Sequence, residues 1–198
     1  MRRPARLVGG YQPGVRRVVA GDVEEPPTYR SEFAADLKKM LPRIPKVADF
    51  AGFAGAGRRL ADLHLGYESV EPYPLDEIVT GNGPDDQLYR VQKMALGKGA
   101  SAREKDRSRI VYNSRITVAG IPAEAYRYML GSRSAIEWIM DRYRLRVDKP
   151  SGIVNDPNDW ATEHDESRYI LDLLKRIVTV SLETMRVVDG LPPLDIIE

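Results

Sequence analysis

The segment from Arg90 to Arg115 holds the side chains whose types and spacing best suggest a chemistry. It carries eight basic residues against two acidic ones, a local net charge of +6 in a chain whose total charge is only +1. Clustered Lys and Arg bind DNA phosphates because binding releases counterions, and Arg and Asn can read guanine and adenine edges. The basic residues are Arg90, Lys93, Lys98, Arg103, Lys105, Arg107, Arg109 and Arg115.

Two predicted strands would position these cations, one over residues 88–96 and the other over residues 109–118. Residues 97–108 between them are predicted to form a long, flexible, basic loop. Because side chains alternate along a strand, the second strand has an apolar face and a polar face. The apolar face comprises Ile110, Tyr112, Ile116 and Val118, and the polar face comprises Arg109, Asn113, Arg115 and Thr117.

Charge alone leaves two interpretations of this hairpin open. One is a DNA-binding ribbon, since a two-stranded ribbon fits the major groove. The other is a solvated edge, because Lys and Arg on an edge strand also discourage aggregation. On the first interpretation Lys93 is a general candidate, the phosphate contacts come from Lys98, Arg103, Lys105 and Arg107, and the base-edge contacts come from Arg109, Asn113 and Arg115.

Two short motifs resemble parts of a methyltransferase. The run Phe53-Ala54-Gly55-Ala56-Gly57 matches a glycine loop that holds S-adenosylmethionine, but no apolar strand precedes it. The stretch 155–160 approaches the catalytic loop of amino-methyltransferases, but it lacks the second proline and displaces the aromatic residue. We therefore interpret the first motif as a Gly/Ala-rich packed helix and predict no bound cofactor.

Metal-binding and nucleophilic chemistry have little support in the sequence. Asp36 and Lys38 have a nuclease-like spacing but lie on a predicted helix without a second acid, and Asp85-Asp86 is interpreted as solvated loop charge. His64 is predicted to be half-buried, and His164 to be exposed near a helix start. Cysteine is absent. We predict no metal site and no complete catalytic centre, and so a chain that is not an enzyme by itself.

Composition indicates an ordinary globular protein. The 198 residues are 42% hydrophobic and 30% charged, which argues against general disorder. The lack of cysteine fits a reducing compartment, and the longest apolar runs are far shorter than a membrane span of about 20 residues. We expect a cytoplasmic protein that has no membrane partner.

The remaining elements are predicted to be mostly helical. Apolar spacing predicts helices over 29–41 and 47–65, a short helix after Pro122, and apolar helical stripes over 136–143 and 170–188 that end at Gly190. The predicted fold is therefore α+β, with helices packed around a small, mainly antiparallel sheet or β-hairpin. Residues 1–27 are expected to be irregular and residues 28–194 to form one domain, with a possible subdomain boundary near the acidic, Pro- and Gly-rich stretch 68–87.

Several blocks of the sequence resemble the C-terminal target recognition domain of type ISP restriction-modification enzymes. They follow the family order and, with the helix that runs to Met185, cover most of the chain. The blocks are YRSEFAADLKKMLPRIP at 29–45, GRRLADLHLGYE at 57–68, YN at 112–113 with GIP at 120–122, SAIEW at 134–138 and SGIVNDPNDW at 151–160.

This resemblance implies recognition of a DNA sequence without catalysis by this chain. The resemblance implies very long single chains, in which a nuclease, an ATP-driven translocase and an adenine-N6 methyltransferase precede the recognition domain. Only the last part is matched here, because the chain has neither a Walker loop nor a Pro-Pro-aromatic loop. The expected partners are duplex DNA and a methyltransferase or translocase subunit of the same system. We also expect the start of the recognition domain to be missing.

Two alternatives remain at this point. In one, the helical third of the chain, residues 132–190, docks on a methyltransferase or motor subunit, and an exposed apolar stripe on the last helix would favour it. In the other, the chain is a degenerate remnant without activity. In the docking alternative DNA binding would be minor or lost, and a half-built DNA-binding face would favour the remnant.

Overall fold

The computed structural model describes residues 46–101 and 104–197, which fall into two compact units. One unit comprises residues 46–64 and 190–197, and the other comprises residues 65–189. The predictions for residues 1–45, including the first helix, Asp36 and Lys38, lie outside the described residues. The prediction of one domain over 28–194 stays a prediction.

The smaller unit is built on helix α1, Phe50–Leu65. Asp49 caps its start, because its Oδ1 accepts a hydrogen bond from the Gly52 amide at 2.8 Å. Phe53, Ala56 and Leu60 are buried at helical spacing. An isolated antiparallel bridge between Val47 and Ile196 holds the end of the chain. The glycines at 55 and 57 thus lie in a packed helix, as predicted, and not in a cofactor loop.

The larger unit contains a four-stranded antiparallel sheet in the order β1-β4-β3-β2. Ile110 of β3 pairs with Val118 of β4 on one side and with Leu96 of β2 on the other. Ile110 and Val118 are fully buried, so this row of side chains faces the core. The strands are β1 Asp76–Val79, β2 Ala95–Lys98, β3 Lys105–Val111 and β4 Ile116–Ala119.

Helices and two short hairpins complete this unit. The α-helices are α2 Asp85–Leu88, α3 Ala135–Arg142, α4 Asp159–Glu163 and α5 Tyr169–Asp189. Short 3₁₀ helices span Tyr67–Ser69 and Ala123–Arg127, the second directly after Pro122. The hairpins pair β5 Met129–Leu130 with β6 Arg133–Ser134, and β7 Arg146–Val147 with β8 Val154–Asn155. The predicted α+β fold is confirmed.

Helix α5 supplies much of the core beside the sheet. Its buried apolar residues recur every three or four positions, as predicted for an amphipathic helix, and Gly190 follows its last residue. Glu77 of β1 anchors this helix, because its Oε1 lies 2.8 Å from both Arg168 Nη2 and Lys175 Nζ. Burial would raise the pKa of Glu77, but the two cations hold it below its ordinary value. The buried helix residues include Ile170, Leu171, Leu173, Leu174, Ile177, Val178 and Val180.

The predicted strand over 88–96 is wrong. The chain leaves helix α2 at Leu88 and becomes a strand only at Ala95. In between, side chains take over the hydrogen bonds that a sheet would have made: the Tyr112 hydroxyl donates to the Tyr89 carbonyl at 2.8 Å. Asn158 bonds both the N–H and the carbonyl of Val91, each at 2.8 Å. The segment is therefore satisfied without a neighbouring strand.

The predicted single strand over 109–118 is also wrong, because β3 ends at Val111 and β4 begins at Ile116. A tight turn separates them, in which the Tyr112 and Asn113 amides both donate to the Ile116 carbonyl, at 2.9 and 3.2 Å. The predicted loop over 97–108 is shorter as well, since β2 reaches Lys98 and β3 starts at Lys105. The four residues predicted to form the apolar face are nevertheless fully buried: Ile110, Tyr112, Ile116 and Val118.

The remaining predictions differ in outcome. His64 is half-buried, as predicted, and desolvation lowers its pKa. His164 is exposed, as predicted, but it caps the end of helix α4 instead of lying at a helix start. Asp85 and Asp86 are exposed in the first turn of α2, not in a loop. Within the part of the chain that the structure describes, no helix is long and apolar enough to cross a bilayer.

Candidate nucleic-acid interface

Strands β2 and β3 form a ribbon with an irregular register. Leu96 pairs with Ile110, but the next residue, Gly97, pairs with Asp106, so residues 107–109 have no partner on β2. The bulge leaves Arg107 and Arg109 without a partner on β2, although Arg109 still pairs with Ala119 of β4. Bulges commonly re-aim side chains beside functional sites. We call the ribbon with Lys98, Lys105, Arg107 and Arg109 the basic hairpin.

Asp106 organises the bulge. Its Oδ1 accepts the Ser108 hydroxyl at 2.6 Å and the Ser108 amide at 2.9 Å. These two bonds lower the pKa of Asp106, so the carboxylate stays charged. Gly97 fits here because it lacks a Cβ, which would lie only 3.2 Å from the Asp106 carbonyl oxygen. The bulge is thus a defined local structure and not a loose loop.

Lys98 and Lys105 lie at the end of the basic hairpin where β2 stops and β3 begins. They are direct cross-strand partners, and both side chains are exposed. Directly opposed residues on antiparallel strands share a face, and like charges at such positions are destabilising. Neither lysine forms an ion pair with any carboxylate of residues 46–101 or 104–197. The pair therefore presents two unneutralised positive charges side by side.

Arg107 has a more defined position than the two lysines. Its Nη2 lies 2.7 Å from Glu137 Oε1 of helix α3, and its Cζ lies 4.9 Å from the centre of the Tyr126 ring. The Tyr126 hydroxyl donates to the Arg107 carbonyl at 2.9 Å, and burial raises the pKa of that hydroxyl to about 12. The Arg107 side chain remains 53% exposed, so its orientation is fixed while its outer edge stays accessible.

Arg109 follows the bulge and lies on the face of β3 opposite the buried Ile110. Its Nε is 3.8 Å from Asp106 Oδ2, a loose ion pair, and its side chain is 58% exposed. Of the predicted base-edge residues, Arg109 is the one that the structure places on the ribbon beside Gly97 and Asp106, since a Cβ at Gly97 would lie 3.1 Å from the Arg109 Cβ. Its accessible guanidinium could offer the two donors that guanine recognition needs.

Arg115 and Lys93 lie elsewhere. Arg115 follows the turn at the far end of β3, where its carbonyl accepts the Thr80 amide at 2.7 Å. Lys93 is exposed just before β2, close to the same end of the ribbon. The length of β3, up to about 20 Å, separates this end from Lys105. Arg103 lies outside the described residues.

Asn113 has a structural role that the sequence analysis did not predict. Its Oδ1 accepts the amides of Arg115 and Ile116, at 2.8 and 2.7 Å. Its Nδ2 donates to the carbonyls of Leu88 and Arg90, at 2.8 and 3.0 Å. Both the oxygen and the nitrogen of the amide are thus engaged within the fold, which assigns Asn113 a structural role. Its predicted base-edge contact stays a prediction.

A further group of cations was missed by the sequence analysis. Arg133, Arg142, Arg144 and Arg146 come together beside helix α3 although they belong to β6, the end of the helix, the segment after it and β7. Four arginines within residues 133–146 were the available signal, but Glu137 and Asp141 between them dilute the local charge. Among the residues described, no group of acidic and His side chains could hold a metal ion.

The chain is similar to one protein family and to several solved structures. A family model, the type ISP C-terminal specificity domain, matches residues 23–173. A structure of the ATP-dependent type ISP restriction-modification enzyme LlaBIII bound to DNA is similar to this chain at 37% identity and a TM-score of 0.73, over 86% of this chain and 10% of that chain. A comparison with curated proteins finds no match.

Two further solved structures are similar. One is a nuclease-deletion mutant of the type ISP enzyme LlaGI in complex with a DNA substrate mimic, at 37% identity and a TM-score of 0.76, over 93% of this chain and 14% of that chain. The other is a DrdV–DNA complex, at 36% identity and a TM-score of 0.68, over 86% of this chain and 17% of that chain. The chain thus spans less than a fifth of the length of each of the three proteins.

Proposed function

The chain belongs to the family of type ISP C-terminal specificity domains, and on this premise we propose that it recognises duplex DNA through the basic hairpin. The three similar structures are each described in complex with DNA or a DNA mimic. In the proposal this chain selects the DNA sequence for a type ISP restriction-modification system. Cleavage, translocation and methylation belong to other parts of such a system.

The observation that carries the proposal is the cross-strand pair of Lys98 and Lys105. Two exposed like charges held opposite each other cost the folded chain stability, which a purely structural ribbon would avoid. A phosphate group placed between them would relieve the repulsion and release counterions. The pair is therefore better explained as an anion-binding feature than as a charged edge that discourages aggregation.

The rest of the basic hairpin fits a division between positioning and base recognition. Lys98, Lys105 and Arg107 contact phosphates, and Arg107 does so in an orientation that Glu137 and Tyr126 hold. Arg109 is the leading candidate for a base-edge contact, since its accessible guanidinium stands on the bulge. Arg103 remains a proposed phosphate contact. Arg115 and Lys93 are proposed to contact DNA farther along the duplex, beyond the turn.

We also propose that this chain has no catalytic activity of its own and needs no cofactor. The partners are duplex DNA and a methyltransferase or translocase subunit of the same system, in the cytoplasm. The docking alternative required an exposed apolar stripe on helix α5, but the apolar residues of this helix are largely buried in its own unit. That alternative therefore lacks the observation that would have favoured it.

The test is a selection from random-sequence duplexes followed by salt titration of the 198-residue chain. The selection should recover one sequence motif. In the titration, the Lys98→Gln/Lys105→Gln double variant should lower the slope of log affinity against log salt by about one for each lysine. Lys46→Gln, an exposed lysine of the other unit, is the matched control and should leave the slope unchanged. Duplex affinity that is indifferent both to salt and to the double variant would contradict the proposal.

A further inference from the structure

Four arginines of the larger unit gather around Trp138 and Asp141, outside the basic hairpin. Three guanidinium groups share the single carboxylate of Asp141, at N–O distances of 3.0, 3.3 and 3.4 Å. Two Cζ atoms lie 5.4 and 5.8 Å from the centre of the Trp138 ring, within the range of a cation–π contact. We call this group the arginine cluster: Arg146, Arg133 and Arg144 contact the carboxylate, and Arg133 and Arg142 contact the ring.

The arginine cluster carries a net charge of about +3, because one carboxylate faces four guanidinium groups. Burial would raise the pKa of Asp141, but the neighbouring guanidinium groups, Arg144 foremost, hold it below its ordinary value. The carboxylate therefore stays charged and contributes its one negative charge to the cluster. The C-terminus of helix α3 adds about half a negative charge, which still leaves most of the positive charge without a counter-charge.

A structural role explains only part of the cluster. Arg146 does stabilise the end of helix α3, since its Nη2 also donates to the Asp141 carbonyl at 2.7 Å. Arg142 forms no ion pair with any described carboxylate, and its side chain is exposed. The Nε of Arg144 is buried without a hydrogen-bond acceptor in the described part of the chain. Two of the four arginines thus have donors that the fold does not use.

The arginine cluster is continuous with the basic hairpin. Arg107 of the hairpin contacts Glu137 on helix α3 at 2.7 Å. Asp141, at the centre of the cluster, follows Glu137 by one helical turn, which is a rise of about 6 Å. The indole of Trp138, fixed by a 2.9 Å bond from its Nε1 to the Leu130 carbonyl, lies between them in sequence. Helix α3 therefore joins the two basic groups into one stripe.

We propose that the arginine cluster is a second phosphate-binding surface, which contacts the backbone of the same duplex beyond the basic hairpin. This inference rests on the proposed function. Guanidinium groups suit phosphate because their planar fork donates two parallel hydrogen bonds to its oxygens. Because the cluster continues from the basic hairpin along helix α3, DNA is favoured over an acidic protein surface. A duplex carries regularly spaced negative charges that can follow such an extended stripe.

The test is fluorescence anisotropy with a labelled mixed-sequence duplex over a range of salt concentrations. The Arg133→Gln/Arg142→Gln double variant should lower the salt slope by about one for each arginine. These two positions are chosen because both side chains are exposed, whereas Arg146 supports helix α3. Arg186→Gln is the matched control, an exposed arginine on α5 that is paired with Glu183, and should keep the parental slope. Thermal unfolding of each variant confirms that it is folded.

Each outcome separates the inference from the function on which it rests. If the parent chain fails to bind the duplex, both are overturned. If the Lys98→Gln/Lys105→Gln variant loses affinity while the folded Arg133→Gln/Arg142→Gln variant keeps the parental slope and affinity, only the arginine cluster proposal fails. A polyglutamate competitor tests whether the arginine cluster binds an acidic protein. If it binds the parent as tightly as the duplex and loses that binding in the arginine variant, the cluster is a site for an acidic protein instead.

Discussion

The two ends of strand β3 differ in nearly every physical respect. At its C-terminal end, Ile110 is fully buried and the following turn is held by Tyr112 and Asn113, whose side chains bond to the segment before β2. At its N-terminal end, Lys105 is exposed opposite another lysine, and the bulge releases residues 107–109 from β2. A single strand thus combines a segment that stabilises the fold with one that presents charge to a partner.

This difference shows how a small unit can carry a binding surface without weakening its core. The stabilising contacts are concentrated where β3 meets β4 and helix α5, while the cations are placed where few contacts would be lost. Substitutions at the two ends should therefore act on different measurements. Those at the C-terminal end should lower the free energy of unfolding, and those at the N-terminal end should lower DNA affinity and not stability.

The largest effect is expected from Ile110→Ala. This side chain is fully buried in the core, so its truncation should lower the free energy of unfolding by about 2–5 kcal/mol. Urea denaturation followed by tryptophan fluorescence measures it, because both tryptophans, Trp138 and Trp160, lie in the same unit. Val111→Ala, next in the chain but exposed, should cost at most about 1 kcal/mol. Equal losses at the two positions would contradict the distinction between faces.

A smaller effect is expected from Asn113→Ala. The variant leaves two amides of the turn and two carbonyls without their partners, which should cost about 1–3 kcal/mol of unfolding free energy. The same urea titration applies, with exposed Ser114→Ala as the neighbouring control. If Asn113→Ala keeps full stability but abolishes DNA binding, the residue reads bases after all and our structural assignment is wrong.

The smallest effect, and one of opposite sign, is expected from Lys105→Gln. Removing one member of the Lys98–Lys105 pair relieves a like-charge repulsion, so the free energy of unfolding should rise by about 0.2–1 kcal/mol at low salt. The gain should shrink at high salt, because salt screens exposed charges. Lys46→Gln should show no such gain. A loss of stability at position 105 would mean that the lysine supports the fold.

The burial pattern could be predicted from the sequence, but the turn between β3 and β4 could not. Apolar alternation identified Ile110, Tyr112, Ile116 and Val118 as core residues, and it remains correct because both strands present their apolar residues to the same core. The turn contains no glycine or proline, the strongest turn signals. It depends instead on the Asn113 amide, which replaces backbone hydrogen bonds. The type of that residue is visible in the sequence, but its partners near Leu88 are not.

The candidate site shows a similar limit. A run of cations in one segment predicted the basic hairpin, because charge that is local in sequence stays local in space on a ribbon. The arginine cluster is assembled from β6, the end of helix α3, the segment after it and β7. Its members meet only in the folded chain, around the carboxylate of Asp141. In a count of charges along the sequence, that carboxylate only lowers the local positive charge. Sequence patterns do not contain such long-range convergence.

The bulge in β3 also bears on how the surface of the molecule can diverge over evolutionary time. Because residues 107 and 108 have no strand partner on β2 or β4, a residue gained or lost there changes the spacing between Asp106 and Ile110 without shifting the pairs that bury Ile110. In a regular strand the same event would turn every following side chain to the wrong face. The bulge lets insertion and deletion, and not substitution alone, generate new surfaces on an unchanged core.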